Sequence, residues 1–148
     1  MNTRSHRAWR FFHPDLDAPE SSAGVRLSSR GAIETAGGNE TVRQAILLLL
    51  STVPGERVMR PDYGCHLHRL VFAPNDPTTH GLAIHYVRRA LERWEPRIDI
   101  LKLDAGMGKD NRGKDDPNVL DIFLEYRVRA TRRTRELSFS VDLTGEEA

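Results

Sequence analysis

Val119-Leu120-Asp121-Ile122-Phe123-Leu124-Glu125-Tyr126-Arg127-Val128-Arg129-Ala130, followed after a short basic stretch by Leu137-Ser138-Phe139-Ser140-Val141-Asp142-Leu143, decides the fold. Leu120, Ile122, Leu124, Tyr126 and Val128 recur at every second position, as do Leu137, Phe139, Val141 and Leu143. A period of two places one apolar face and one polar face on a strand, so the two segments read as a half-buried hairpin. Arg127 and Arg129 then share the solvent side, with Arg132, Arg133 and Arg135 beside them at the turn. The ordinary reading of such arginines is a charged face that discourages strand aggregation, and the functional one is a patch for an acidic partner. Stacking aromatics do not interleave with them, which argues against nucleic acid.

Working back from the hairpin, Ile98 to Leu103 is a third strand. Ala105 to Asn118, with Gly106, Gly108 and Gly113, is expected to be a long polar loop. A helix ends at Trp94, because Pro96 disfavours helical geometry at Glu95. It should begin near Thr78 or Thr79 and carry an apolar stripe of Ala83, Tyr86, Val87, Ala90, Leu91 and Trp94. An earlier helix runs from about Glu40 to Thr52, with Asn39 as N-cap and Pro54-Gly55 as its stop. Leu47 and Leu48 spread its apolar surface most of the way around, so it should lie centrally or under a partner. Between the helices, Pro61 to Gly64 is a turn and Leu67 to Phe72 a short helical piece. The predicted class is α+β: two main helices packed on one face of a small antiparallel sheet, with a flexible N-terminal extension. Residues 1–38 are that extension and 39–148 the domain.

The extension holds Trp9, Phe11 and Phe12 among Arg4, Arg7 and Arg10, an aromatic-basic segment that either docks on a partner or packs back on the domain. Pro14 to Gly38 follows without helical or strand periodicity and reads as a linker. A chain of 148 residues, 39% hydrophobic and 29% charged, suits one core, and its formal charge of +1 gives no global field for nucleic acid or an anionic membrane. The longest apolar run, Ala45 to Leu50, is far too short to span a bilayer, and no signal peptide is legible at the N-terminus. One cysteine, Cys65, permits no intrachain disulfide and suits a reducing compartment, so assembly in the cytoplasm is expected.

Catalytic and cofactor chemistry finds little support, and neither cofactor nor metal is expected. Gly108-Lys109-Asp110-Asn111-Arg112-Gly113-Lys114-Asp115 approaches a phosphate-binding loop, but Asp115 and Pro117 stand where a hydroxyl and a helix start are needed. Cys65, His66 and His68, with His80 and His85 further on, have zinc-binding side chains without a second cysteine motif, and no orienting group marks a Cys-His nucleophile. Glu56 and Glu95 could be imagined as a glycosidase pair, yet each sits beside an arginine, the wrong setting for a general acid.

Taken in order, Val42-Arg43-Gln44-Ala45-Ile46, Pro54-Gly55-Glu56-Arg57, Pro61-Asp62-Tyr63-Gly64, Leu70-Val71-Phe72 and Trp94-Glu95-Pro96-Arg97-Ile98 resemble the baseplate sheath-initiator family of contractile injection machines. That family includes a phage tail wedge protein and the TssE-like component of type VI secretion. The resemblance covers about Asn39 to Leu143. It implies a structural, non-enzymatic role in which Glu95, Pro96 and Arg97 clasp the helical core bundle of the wedge proteins, supported by Glu56 and Arg57. It also implies sheath-facing strands, here Arg127, Arg129, Leu137, Phe139 and Val141, that template the first sheath ring by strand addition. The implied partners are wedge, sheath and central hub or spike proteins in a sixfold ring, with neither nucleic acid nor membrane insertion. The implied location is the cytoplasm during assembly, then a tail-like particle. Other classes are a soluble regulatory adaptor, since a stress-response anti-adaptor shares this fold, and a glycan hydrolase. Charge reversal at Arg97 is expected to stop assembly while the domain still folds.

Overall fold

In the computed structural model the two alternating segments pair as expected, and the sheet extends well beyond them. The structure describes residues 7–9, 11–12, 24–25, 27, 29–32 and 35–145. It divides into two compact units, 1–48 and 49–148.

In the first unit, β1 (Arg7–Trp9) pairs antiparallel with β4 (Thr35–Gly37), and β2 (Phe11–Phe12) with β3 (Gly24–Val25). Arg4, Arg10 and residues 13–23 of the predicted extension lie outside the described residues. Helix α1 (Asn39–Ser51) begins here and crosses the unit boundary. Val42, Ile46, Leu47, Leu49 and Leu50 on it are buried, a spread too wide for a single narrow stripe.

In the second unit a 3-10 turn (His66–Leu70) buries Leu67 and Leu70, and helix α2 spans Pro77–Trp94. This helix starts earlier than Thr78. The Asp76 carboxylate accepts the Thr79 backbone N–H at 2.8 Å, and Pro77 occupies the first turn, where its missing N–H costs no bond. Ala83, Val87, Ala90 and Leu91 are buried, and α2 packs on the sheet through β5 and β6.

The sheet is an antiparallel meander of β5 (Ile98–Lys109), β6 (Asp115–Val128) and β7 (Thr134–Asp142), with β6 central. Leu120 pairs with Val141, Ile122 with Phe139 and Leu124 with Leu137, so these six share one face. With α1 and α2 the fold is α+β. The expected loop from Ala105 to Asn118 is mostly strand, and the turn is only Asp110–Lys114. Asp110 Oδ1 accepts from the backbone N–H of Arg112 at 2.8 Å and of Lys114 at 2.9 Å, and Gly113 takes φ +77°. A self-capped turn of this kind lets polar flanks pair through main chain alone. The same geometry leaves the phosphate-loop lookalike as a hairpin tip.

Strand β5 carries a bulge: Ile100 pairs with Tyr126 and Lys102 with Glu125, which leaves Leu101 as the extra residue and 46% exposed. Phe72 follows the 3-10 turn at φ +68°, and its N–H donates to Leu143 O at 2.7 Å, tying that turn to the end of β7.

Candidate partner-binding corner

Helix α2 ends where Glu95 N donates to Leu91 O at 2.9 Å and Pro96 forbids another turn. The reversal folds the Glu95 side chain inward. Glu95 is only 5% exposed, and its carboxylate accepts from Arg97 Nε at 2.6 Å and Arg97 Nη2 at 2.9 Å. This two-pronged pairing is the strong form of the arginine–carboxylate contact. It raises Arg97 above its ordinary value, so the guanidinium is a fixed cation. The clasp that the resemblance implies would have Glu95, Pro96 and Arg97 all reach a partner. Instead Glu95 is internal, Arg97 keeps 39% of its side chain exposed, and Pro96 is exposed. A charge reversal at Arg97 would set a second carboxylate against a buried one, so it would damage the fold as well as any contact.

The corner continues into the sheet. Arg129 N donates to Arg97 O at 2.9 Å, while Asp99 accepts Arg129 Nε at 2.8 Å and lies 3.5 Å from Arg127 Nη2. The Arg129 hydrogen bond is the largest cause holding Asp99 below the usual carboxylate value. Thus Arg97, Arg127 and Arg129 converge at one end of the meander. An open groove of about 410 Å³ runs beside them, with Leu91, Pro96 and Ile98 in its wall and Arg88, Glu92 and Arg129 among its charged groups.

Glu56 and Arg57 have separate duties. Glu56 Oε2 accepts Val53 N at 3.1 Å and closes the Pro54-Gly55 turn. The Arg57 guanidinium lies 4.4 Å from the centre of the Tyr63 ring, and Tyr63 meets Trp94 edge-on at 5.4 Å. That aromatic pair joins the turn to the corner. It was missed in the sequence because Tyr63 and Trp94 are 31 positions apart and nothing local couples them. Burial is the main influence raising the Tyr63 hydroxyl.

Of the residues assigned to sheath-facing strands, Arg127 and Arg129 are on the open face. Leu137 is buried and Phe139 and Val141 are half-buried, on the face shared with Leu120, Ile122 and Leu124. Their side chains are therefore turned into the domain. What β7 leaves open is its backbone edge, since among the described residues it pairs only with β6.

The thiol and imidazole candidates do not join in one cluster: the His66 and His68 rings are 5.8 Å apart, whereas His80 is paired with Asn75. Cys65 is buried and its thiol is pushed up to about 11 by burial. His66 Nδ1 is buried without a hydrogen-bond partner. Among the described residues no three histidine, cysteine or acidic side chains cluster as a metal site would require.

A family model described as baseplate wedge protein gp25 matches residues 36–133, which include both turns, the corner, β5 and β6. The chain belongs to the gp25 family of baseplate wedge proteins. Baseplate wedge protein gp25 of Enterobacteria phage T4 is 28% identical over 68 residues, a stretch covering 46% of this chain and 52% of the phage protein. This gp25-family chain thus spans about half the length of that curated relative. A candidate tail lysozyme from Geobacter sulfurreducens has 37% identity and TM-score 0.62, covering 83% of this chain and 98% of that one. A chain in the 6-fold symmetrised baseplate of the anti-feeding prophage shares the fold at 21% identity and TM-score 0.58, covering 94% of this chain and 86% of that one.

Proposed function

We propose that this chain is a non-enzymatic wedge component of the baseplate of a contractile injection system, held by its neighbours through the Glu95-Pro96-Arg97 corner. The observation that carries the reading is that the family match runs through a corner fixed by a buried ion pair. A corner fixed before binding loses little entropy when a partner closes on it. Its partner is the core bundle of the other wedge proteins, six copies form the ring, and assembly takes place in the cytoplasm. The open edge of β7 receives a sheath strand by main-chain hydrogen bonding, with Ser138 and Ser140 outward. Residues 1–38 form an extension that docks elsewhere on the particle.

The test avoids Arg97, which the fold also needs. Pro96→Glu changes an exposed residue and sets a competing carboxylate beside the Arg97 guanidinium. A variant that melts like wild type should be absent from purified baseplates, and its normal incorporation would refute the corner as the contact.

A second reading follows from the similarity to a candidate tail lysozyme. Glu95 lines the groove beside the corner but is held by Arg97, and Glu56, which closes its own turn, is not part of that groove, so the two carboxylates do not face each other across a sugar-binding cleft. Peptidoglycan turnover by the purified chain, lost in Glu95→Gln while its fold persists, would revive that reading.

A further inference from the structure

Val58 and Met59 are adjacent and 94% and 91% exposed. Single exposed apolar residues are ordinary on a protein surface. These two sit on a loop secured at both ends. At one end Glu56 N donates to Val53 O at 3.1 Å and the Glu56 side chain returns to Val53 N. At the other, Tyr63 N donates to Arg60 O at 3.1 Å and Cys65 N to Thr52 O at 2.9 Å. Gly64 makes that close approach possible: at φ +137°, a Cβ there would lie 2.5 Å from Thr52 O. The loop is therefore held out, with its most apolar residues at the tip.

Its surroundings are basic. Arg57 lies over Tyr63, and Arg60 and Arg93 lie 5.9 and 4.9 Å from the centre of the Trp94 ring. Asp62 is 3.6 Å from Arg93, and Glu56 is turned back to its own backbone. Three guanidiniums thus frame the tip against one facing carboxylate. Rings beneath the arginines fix their positions, a condition for charge to select a partner.

We propose that the Glu56–Tyr63 loop is a docking knob whose Val58 and Met59 enter an apolar recess, rimmed by carboxylates, on a protein partner. The apolar tip supplies burial on binding and the arginines set orientation and encounter rate. Trp94 directly precedes Glu95, so the knob and the corner are parts of one surface. The proposal rests on the wedge reading only for the partner being a baseplate protein.

The experiment places a photocrosslinking amino acid at position 59, and at exposed Asn111 as control, in the full chain expressed in its host. Crosslinked peptides are then mapped by mass spectrometry. In parallel, Val58→Asp/Met59→Asp is compared with Pro96→Glu for incorporation into particles, after melting curves show each to be folded. The expected result is a position-59 crosslink to an apolar residue flanked by Asp or Glu in a baseplate protein, with at least tenfold less double variant incorporated. Normal incorporation of the double variant while Pro96→Glu is excluded would overturn the knob and leave the corner standing. If the corner reading fails and the chain lies outside particles, a position-59 crosslink to an acidic protein site would still support the knob. A crosslink to nucleic acid or lipid, or none beyond the Asn111 control, would overturn it.

Discussion

Replacing Arg97 by Met keeps most of the aliphatic stem and removes the cation that two carboxylate oxygens face at 2.6 and 2.9 Å. Glu95 is 5% exposed, so its charge is left without a partner or ready access to water. Removing one partner of a fully buried pair costs about 3–5 kcal/mol. Because Arg97 is itself 39% exposed, the pair is partly hydrated and the low end, about 3 kcal/mol, is expected. The reciprocal change is milder. Glu95→Gln retains an acceptor oxygen and leaves a guanidinium that can turn to solvent, for a loss of about 1 kcal/mol. The double variant strands no charge and should be more stable than Arg97→Met alone, with a coupling of about 2 kcal/mol. Urea unfolding of the four chains, followed by far-ultraviolet circular dichroism, measures the cycle. An Arg97→Met loss no larger than that of Glu95→Gln would refute the buried-pair reasoning.

Cys65, buried and with its thiol pushed up to about 11, should resist a water-soluble disulfide reagent at neutral pH and react at once in denaturant, as a timed absorbance assay would show. His66 is held below its ordinary 6.5, first by burial and then by Arg69, His68 and Arg89, so the unfolded chain takes the proton first. Stability present above 6.5 is then lost as pH falls through the lower folded value, and His66→Gln should flatten the drop in Tm as pH falls below 6.5. Asp76, Asp99 and Asp142 are also held low, by hydrogen bonds from Thr79, Arg129 and Thr144, and their contribution disappears only below their ordinary 3.8. Gly64→Ala would force a Cβ against Thr52 O at an unfavourable φ, and calorimetry should register a loss of about 2 kcal/mol or more.

The strands that the sequence revealed best are those with one face consistently apolar. β6 and β7 alternate without interruption, and their pairing follows that alternation residue for residue. The inner half of β5 was legible, but Lys109 and Asp115 pair across the hairpin without apolar side chains, so hydropathy gave no sign of strand there. The start of α2 did have a local signal, Asp76-Pro77, which marks a capped first turn more directly than the threonines after it. The corner was visible as a chain reversal, but the burial of Glu95 was not. A glutamate ordinarily reads as exposed, and only the return of Arg97 two residues later makes its burial affordable.

The unpaired residue in β5 separates the sheet's shape from its stability. Ile98 and Ile100 face the core before the bulge, and the alternation resumes in phase after it because Leu101 is supernumerary. Removing Leu101 would leave every later residue of the strand on its present face and delete only a half-exposed side chain. What would disappear is the extra local twist that a bulge imposes on an antiparallel pair. Curvature next to the corner is thus encoded by the presence of one residue rather than by its chemistry, so related chains can change how these edges meet their neighbours by a single-codon insertion or deletion.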